Sequence, residues 1–440
     1  MRRFAPLLVG LMLGFVFPVA FAAAQAEATW AGSWRLTINT PDGSTMAPLE
    51  LKAERGGLVG TSGALDENRF FGPLTASGHR EGAEVVLTFA ARTQPVASLR
   101  LRHNGQRLIG DGQVYGVPVT ASAERAAPLE AIATPRVFDF APTTFHTQFS
   151  GRFPPVLRLR PGDSVRTTTL DNEGQDASLT WKGMPGNTLT GPFFVEGAAP
   201  GDTLVVHLTR VALSRDSAKM FSDTLNSRAD ADPQTPAPGW GRDWTIDRAK
   251  GEARLAAPGE RLSGLFLPVH PMVGSIGVAP PFGQSIFAGD LGPHGGNLDY
   301  NRLVTGATLY LPVFQPGALL FLGDGHALQG DGEVTGQGLE TSLDVEFRVD
   351  VIKGKSLGQV WFEDADDIMV SGVDNSLDLA LQAATSGLSH WLHERYGLND
   401  SEIASLLGAA IRYDIAEVVD PRPHVVARLS KAVLAKISKR

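Results

Sequence analysis

The polar residues best suited to chemistry lie in one short stretch, Gly323 to Glu333, which reads Gly-Asp-Gly-His-Ala-Leu-Gln-Gly-Asp-Gly-Glu. Asp324 and His326 are two residues apart, as are Asp331 and Glu333, so each pair faces the same way in an extended backbone. Imidazole and carboxylate groups are the usual ligands of catalytic zinc and similar ions, and such an ion activates water and polarises an amide carbonyl. The stretch therefore predicts a metal or acid–base site. A series of tight Asp-Gly turns is the alternative interpretation.

A second polar stretch, residues 292–299, precedes it and places His294 and Asp299 beside glycines that permit close approach of a ligand to the backbone. Ser275 lies between Gly274 and Gly277, and we interpret its hydroxyl as substrate-binding, although no base is placed beside it by the sequence. His270 precedes Pro271 at the end of a predicted strand. It is assigned to the pocket as substrate-binding, with a structural role as the open alternative.

Several enzyme classes are excluded by what the chain lacks. It has 440 residues and no cysteine, so thiol nucleophiles and disulfide bonds are both impossible. It contains no G-x-S-x-G elbow, no G-x-x-x-x-G-K-[ST] phosphate loop and no H-E-x-x-H zinc pair. Of 39 basic residues, two lie within residues 1–24, which leaves 37 against 47 acidic ones. This mild acidity argues against nucleic acid as a partner.

The N-terminus predicts export. Arg2 and Arg3 are followed by an apolar run to Phe21 and then by Ala22-Ala23-Ala24-Gln25-Ala26, the parts of a secretory signal peptide. We predict a signal peptide at residues 1–26, cleaved after Ala24 or Ala26, and a periplasmic or secreted protein. A permanent membrane anchor is the alternative. No later stretch is long and uncharged enough to span a bilayer, so no stable membrane insertion is expected after cleavage.

The elements that must position these groups are mainly β. Residues 27–130 alternate in short strands separated by turns, typical of a small all-β domain, a meander or barrel. Residues 131–440 continue in strands, with two Pro-Gly-Asp turns ending at Asp163 and Asp202. From about residue 376 the pattern becomes helical, with Gly397 as a stop signal and Asn399 as a helix-capping residue.

Five stretches of the chain, in order, resemble signature sequences of the acetamidase/formamidase family: residues 190–202, 272–280, 292–299, 307–313 and 323–333. The resemblance covers about residues 135–425 and leaves the N-terminal domain out. It implies a β-sandwich or barrel-like core with a smaller α/β part and C-terminal helices. It also implies hydrolysis of short linear amides to a carboxylate and ammonia, a homo-oligomer, and a divalent metal, with zinc or calcium as candidates.

Carried over by motif, the family's polar cluster falls on eight residues: Asp171, Glu196, His294, Asp299, Asp324, His326, Asp331 and Glu333. We assign Glu333, Glu196 and Asp299 to catalysis and Asp171 to substrate binding. His294, Asp324, His326 and Asp331 are assigned to the metal. The family often has a His-Pro just ahead of its Thr-Gly-Pro turn, where this chain has Asn187 and Thr188. That departure puts activity in question.

Three functions follow. The first is hydrolysis of a small linear amide by metal-assisted attack of water, with a carboxylate as base. The second is a non-catalytic periplasmic binding or envelope protein on an amidase scaffold, because a fold does not fix a function. The third is an amidase for a larger envelope-derived amide, with residues 27–130 assisting recognition. The sequence leaves open the physiological amide, the metal, the oligomer number and the role of the N-terminal domain.

Overall fold

The computed structural model describes residues 30–40, 43–54, 57–62, 74–91, 93–104, 107–125, 134–232, 234–236, 241–356 and 358–438. The predicted signal peptide lies outside the described residues. The chain divides into two compact units, Met1–Ala127 and Pro128–Arg440. Among the described residues, no helix is long and apolar enough to cross a membrane.

The first unit is a closed barrel of eight antiparallel strands, in which each strand pairs with the next and β1 pairs with β8. Alternate residues of each strand point inward, so Trp34, Leu36 and Ile38 of β1 are buried while their neighbours are partly exposed. Apolar side chains fill the interior. The strands are β1 (Gly32–Thr40), β2 (Gly43–Glu54), β3 (Gly57–Ser62), β4 (Leu74–Glu81), β5 (Glu84–Ala91), β6 (Gln94–Asn104), β7 (Arg107–Val114) and β8 (Val117–Arg125).

The second unit is built from many short strands and four helices. Its first half contains β9 (Val137–Asp139), β10 (Phe145–His146), β11 (Gln148–Ser150), β12 (Leu157–Leu159), β13 (Ser164–Thr168), β14 (Leu189–Val195), β15 (Thr203–Leu213), β16 (Ser217–Met220), β17 (Arg242–Asp247), β18 (Glu252–Leu255), α1 (Gly259–Leu262) and β19 (Leu267–Pro268).

Its second half contains β20 (Met272–Gly277), β21 (Ser285–Phe287), β22 (Leu291–Gly292), β23 (Gly295–Asn297), β24 (Thr308–Pro312), β25 (Leu320–His326), β26 (Glu340–Thr341), β27 (Leu343–Ile352), β28 (Trp361–Glu363), β29 (Asp367–Val373), α2 (Leu377–Tyr396), α3 (Asp400–Ala410), β30 (Arg412–Glu417), β31 (His424–Ser430) and α4 (Lys431–Leu434). Short 3₁₀ turns occur at Pro281–Gly283 and Asp331–Glu333.

Two large sheets enclose the main core of this unit. The first has the order β19-β18-β17-β16-β26-β25-β20-β23-β22, with β14 also paired to β25, and the second has the order β30-β31-β29-β28-β24-β15-β27-β13-β9. Buried side chains from both sheets, among them Phe193 and Leu322 from the first and Leu309 and Phe347 from the second, form one apolar cluster. The predicted mainly β fold, with a small all-β domain ahead of it and C-terminal helices, is confirmed.

The C-terminal helices have the predicted boundaries. Asn399 caps α3 through its side chain and exchanges hydrogen bonds with Glu402, and Gly397 ends α2 with a φ of 67°. The C-terminal part is not helical throughout, however. After α3 it returns through β30 and β31 to the second sheet, and the loop between those strands reaches the polar cluster described below.

The two Pro-Gly-Asp turns use the same device. Asp163 accepts a hydrogen bond from the backbone N–H of Arg160 (2.8 Å), and Asp202 accepts one from Ala199 (2.9 Å), in each case three residues earlier. Asp202 also accepts from the N–H of Gly354 (2.8 Å), which ties the start of β15 to the end of β27. Both carboxylates are buried. Their role is structural.

We expect Asp202→Ala to lower the free energy of unfolding by about 1–3 kcal/mol, because it leaves buried N–H donors without an acceptor. Urea unfolding of the purified protein measures the change. The matched control is Asp139→Ala, since that carboxylate is exposed and lies 3.6 Å from Arg166. Equal midpoints for the two variants would contradict the structural role of Asp202.

Candidate functional site

Four neighbouring strands bring most of the predicted residues to one place. In the order β23-β20-β25-β26, Ser275 of β20 lies opposite both Asn297 and Gly323, and His326 of β25 lies opposite Glu340 of β26. The residues opposite one another in adjacent strands are within contact distance. The strand pairing therefore gathers polar groups that are separated by up to 65 positions in the sequence.

His326 is the centre of this cluster and is almost completely buried. Its Nε2 lies 3.2 Å from Oε1 of Glu340 and 3.6 Å from Oδ1 of Asp324. On the other side of the ring, Nδ1 lies 3.9 Å from Oδ1 of Asp299. One imidazole thus separates two sets of carboxylates.

Gln329 determines which ring nitrogen carries the fixed proton. Its Nε2 donates to the backbone carbonyls of Asp299 (2.6 Å) and Ala416 (3.3 Å), so its Oε1 must act as the acceptor towards Nδ1 of His326, 2.8 Å away. Nδ1–H therefore donates to Gln329. Nε2 is left facing Glu340 and Asp324, where it is available for a proton or a metal ion.

Asn297 links the carboxylates by hydrogen bonds of consistent direction. Its amide nitrogen donates to Oδ2 of Asp299 and to Oδ2 of Asp420 (2.8 Å). Its amide oxygen accepts from Oγ of Ser275 and from Nδ2 of Asn187 (2.8 Å). Every hydrogen-bonding atom of the Asn297 side chain is used, so the position of this amide is fixed.

The backbone is strained at four of these positions. Asn187, Asp299, Asp324 and Glu333 have φ angles of 53°, 38°, 55° and 44°, in the left-handed region that residues other than glycine rarely adopt. Such conformations cluster at functional sites because the surrounding structure must stabilise them. Close packing adds a second constraint: a Cβ atom on Gly274 would lie 2.5 Å from Oδ1 of Asp299.

The cluster contains more acidic than basic side chains. Asp299, Asp324 and Glu340 lie next to the ring of His326. The charges of Glu333 and Asp420 act on Asp299, and the charge of Glu417 acts on Asp420. Burial alone would lower the pKa of His326, but the carboxylates of Glu340 and Asp324 raise it well above its usual value. Without a further cation, these carboxylates therefore favour the protonated form of the ring.

The pKa values of the acids are raised as well, which favours their neutral forms. Burial and the charge of Glu333 raise the pKa of Asp299 well above its usual value. Burial, opposed by His326 and reinforced by Asp420, likewise raises the pKa of Glu333. Burial raises the pKa of Glu340 to about 7, although His326 counteracts it. These groups hold protons at pH values where exposed carboxyl groups have lost them.

Several buried oxygens of the cluster have no hydrogen-bond partner among the described residues, which suits a bound cation. They are Oδ1 of Asp299, Oδ1 of Asp324 and Oε2 of Glu340. Two sets of ligand atoms are close enough together to hold one ion, Asp324 with His326 and Glu340, and Asp299 with His326 and Glu333. The first set uses the free Nε2, whereas Asp299 faces the Nδ1 that Gln329 already engages. The residues present therefore fit a divalent metal, with Asp324, His326 and Glu340 as the better ligand set.

Five of the residues predicted from the sequence come together here: Asp299, Asp324, His326, Glu333 and Ser275. The predicted shared orientation of Asp324 and His326 agrees with the 3.6 Å between their side chains. Ser275 is completely buried and donates to Asn297. Its hydroxyl therefore positions the amide of Asn297.

Three other predicted residues are not brought to the cluster. Glu196 is 42% exposed and faces Arg158 and Arg160 at 3.9 and 3.5 Å. Asp331 is exposed and accepts a hydrogen bond from Asn301 (2.7 Å). His270 is exposed as well. The local turns before and after the site point these side chains into solvent, so the structure supplies no contact for their assigned roles.

Asp171 and His294 are buried beside the cluster, but with other surroundings. Oδ2 of Asp171 binds Nη2 of Arg215 at 2.7 Å, and its Oδ1 accepts from the backbone N–H of Gln175 (2.8 Å). Arg215 in turn donates to the carbonyl of Glu340 (3.3 Å). Asp171 therefore positions a neighbouring loop and strand, and its oxygens are already engaged. His294 belongs to neither ligand set.

The structure adds residues that the sequence analysis did not assign: Glu340, Asn297, Gln329, Glu417 and Asp420. Asn297 and Gln329 lie inside the two polar motifs, so their proximity to Asp299 and His326 was a usable signal. Glu340 follows the second motif by seven positions. Glu417 and Asp420 carry no such signal, because only the return of the chain after α3 brings them near.

Comparison with known proteins gives this arrangement a context. The model of the acetamidase/formamidase family matches residues 291–433. A formamidase of Methylophilus methylotrophus is 26% identical, over 47% of this chain and 64% of its own length. An acetamidase of Mycolicibacterium smegmatis is 24% identical, over 48% of this chain and 66% of its own length. The chain thus spans somewhat less than two thirds of these two curated relatives.

Solved structures match more completely. A predicted acetamidase/formamidase from Thermoanaerobacter tengcongensis is 30% identical and superposes with a TM-score of 0.60, over 70% of this chain and 100% of that one. An acetamidase from Bacillus halodurans is 28% identical with a TM-score of 0.59, over 68% of this chain and 99% of that one. Both the sequence identity and the fold extend over the whole of these relatives.

The buried acids predict a pH dependence of stability for the chelated protein. Burial raises the pKa of Glu417 to about 7, above its usual value of 4.5, so folding favours the protonated form. That contribution is complete below pH 4.5 and is lost as the pH rises through 7, by at most about 3 kcal/mol. Urea unfolding between pH 4.5 and 8 measures the profile.

Glu417→Gln should make the free energy of unfolding less dependent on pH. Glutamine keeps an acceptor for the N–H groups of Val419 and Asp420 but has no titrating proton. Glu394→Gln, on the exposed face of α2, serves as the control. Parallel profiles for wild type and Glu417→Gln would refute the assignment.

Proposed function

Because this chain belongs to the acetamidase/formamidase family, we propose that it hydrolyses the carbon–nitrogen bond of a linear amide and releases ammonia and a carboxylate. The observation that carries the proposal is the closed cluster around His326, in which Asp299, Asp324, Glu333 and Glu340 are each at most 5% exposed. Burying so many carboxylates costs folding free energy, and chemistry at the cluster supplies a reason for retaining them.

Hydrolysis needs a group that takes a proton from water and returns it to the leaving nitrogen. Glu333 is the proposed group, since burial raises its pKa well above its usual value, so that it holds a proton at pH values at which an exposed carboxyl group is ionised. Asp299 is its partner, since the charge of Glu333 raises the pKa of Asp299 further above its usual value. Asn297 and Gln329 keep Asp299 in place through its side chain and its carbonyl.

The proposed ligands of a divalent metal are Asp324, Nε2 of His326 and Glu340. When bound, such an ion polarises the amide carbonyl and lowers the pKa of water. The imidazole in the ligand set favours zinc or a related transition metal over calcium, which prefers oxygen ligands alone. Asn187 is not a proposed ligand, but its Nδ2 donates a hydrogen bond to Oδ2 of Asp324 (3.1 Å) and so orients that carboxylate. The asparagine at this position therefore holds a proposed ligand in place, which supports activity despite the departure from the family pattern.

We extend the proposal to the setting of the reaction. Residues 1–26 support export to the periplasm or the medium, and family membership supports a homo-oligomer. Determining the N-terminal residue of the protein from its native host, and its mass in solution, tests the two statements separately.

We expect the purified protein to release ammonia from a panel of formamide, acetamide and propionamide. Chelation should abolish the release and a zinc-class ion should restore it. Glu333→Gln should lower kcat by at least about a hundredfold, the usual contribution of a general acid or base. Glutamine keeps the shape of the side chain but cannot exchange a proton, so the effect isolates the proton transfer.

Glu394→Gln is the control for this series, since its exposed carboxylate lies on α2. Release that survives complete removal of metal would leave the amidase proposal standing and refute the metal. The amidase proposal itself would be refuted by a folded, metal-loaded protein that hydrolyses none of the three amides nor a larger amide.

A further inference from the structure

A cavity of about 420 Å³ lies beside the cluster, within the second unit. We call it the His294 pocket, and its polar lining residues are Gln284, Ser285, Asp290, His294 and Arg422. Its volume is in the range of small-molecule sites. The apolar side chain of Ile286 completes one wall. None of these residues belongs to the ligand sets around His326.

His294 is the unusual member of this lining. It is completely buried, and neither Nδ1 nor Nε2 has a hydrogen-bond partner among the described residues. Its ring packs edge-on against Phe149, with centroids 5.2 Å apart. Leaving a buried polar group unsatisfied costs free energy, and such groups in folded proteins call for a ligand, water or ion.

The ring is neutral. Burial lowers the pKa of His294 to about 3, so at neutral pH it carries one N–H donor and one unprotonated acceptor nitrogen. A neutral imidazole of this kind accommodates a partner that both donates and accepts. It gives no charge with which to attract an ion.

The remaining polar groups of the pocket have the same character. Nη2 of Arg422 donates to Oδ1 of Asp290 at 2.8 Å, which balances the two charges. The guanidinium still offers further N–H donors and the carboxylate further lone pairs. The pocket therefore presents donors and acceptors in pairs and no net charge, which favours a neutral ligand that has both kinds of group.

Asn297 connects this pocket to the cluster. Its backbone N–H donates to the carbonyl of Asp290 (3.1 Å), while its side chain donates to Asp299 and Asp420. Arg422 follows Asp420 by two positions in the same loop. The pocket and the cluster thus share one wall.

We propose that the His294 pocket holds the primary carboxamide of the substrate before it reaches the metal ligands and Glu333 of the cluster, with His294 and Arg422 as substrate-binding residues. A primary carboxamide has an oxygen that accepts from Arg422 or from the imidazole N–H, and an NH₂ group that donates to Asp290 or to the unprotonated nitrogen. A carboxylate has no donor and an ammonium ion has no acceptor, so both products fit the pocket less well than the substrate. This inference rests on the proposed amide hydrolysis and changes the role of His294 from metal ligand to substrate-binding residue.

The first experiment measures binding without turnover. Protein labelled with ¹⁵N in its histidine rings is titrated with acetamide, sodium acetate and methylammonium chloride, and the His294 signals are identified by their loss in His294→Phe. We expect acetamide to shift the His294 ring signals at lower concentration than either ion. Unmoved His294 signals at saturating acetamide, or stronger binding of acetate, would overturn the proposal.

The second experiment separates binding from metal ligation. His294→Phe keeps a ring against Phe149, and we expect it to raise KM by about tenfold or more, the loss of one or two hydrogen bonds, with kcat and bound metal unchanged. His390→Phe, an exposed position on α2, is the matched control. Loss of bound metal together with kcat in His294→Phe would overturn the proposal in favour of ligation.

Arg422→Gln provides a second test if His294→Phe folds poorly, since Arg422 is only partly buried. It should weaken acetamide binding in the titration, and an unchanged affinity would count against the pocket. The two proposals fail differently. A protein that shifts its His294 signals with acetamide but releases no ammonia contradicts the amidase function alone, whereas turnover without any response of His294 contradicts the pocket alone.

Discussion

The burial of several carboxylates around a single imidazole is the constraint on which the rest of the second unit depends. Charged groups are stable in a protein interior only when they are paired, protonated or bound to a cation. Here the acids face the imidazole of His326, and burial raises the pKa values of Asp299, Glu333 and Glu340, which favours their protonated forms. The same arrangement that is costly without a cation is suited to binding one and to moving protons.

The side chains that orient the acids of this cluster are neutral amides and carry no charge. Asn297, Gln329 and Asn187 each use their side-chain groups on carboxylates, imidazole or backbone carbonyls. Neutral amides orient the acids without neutralising them, so the acids remain available for a metal or a substrate. Left-handed backbone at Asp299, Asp324 and Glu333 is retained within this network.

The His294 pocket also offers hydrogen-bonding groups without a net charge. It contains a neutral imidazole and a balanced Arg422–Asp290 pair, next to a cluster that is strongly acidic. A neutral amide can enter such a pocket without the desolvation cost that an ion would meet. Asn297 contacts both regions: its backbone N–H binds the carbonyl of Asp290 in the pocket, and its side chain binds Asp299 in the cluster.

Much of this was predictable from local sequence. Alternating strands, the Pro-Gly-Asp turns, Gly397 and Asn399 are local signals that act within a few residues, and they predicted the mainly β fold and the helix boundaries. The two-residue spacing of Asp324 and His326 likewise predicted that their side chains meet. The same spacing misled for Asp331 and Glu333, because they lie in a 3₁₀ turn in which Asp331 is exposed and Glu333 is buried.

Tertiary structure decided the rest. Whether a carboxylate is buried depends on what packs against it: Glu196 meets two arginines at the surface, whereas Glu340 reaches His326 because β26 pairs with β25. Glu417 and Asp420 join the site only through the return of β30 and β31 to the second sheet. Sequence alone determined which residue types were available and their local geometry; long-range strand pairing determined which of them meet, because burial and partner charges belong to the folded chain.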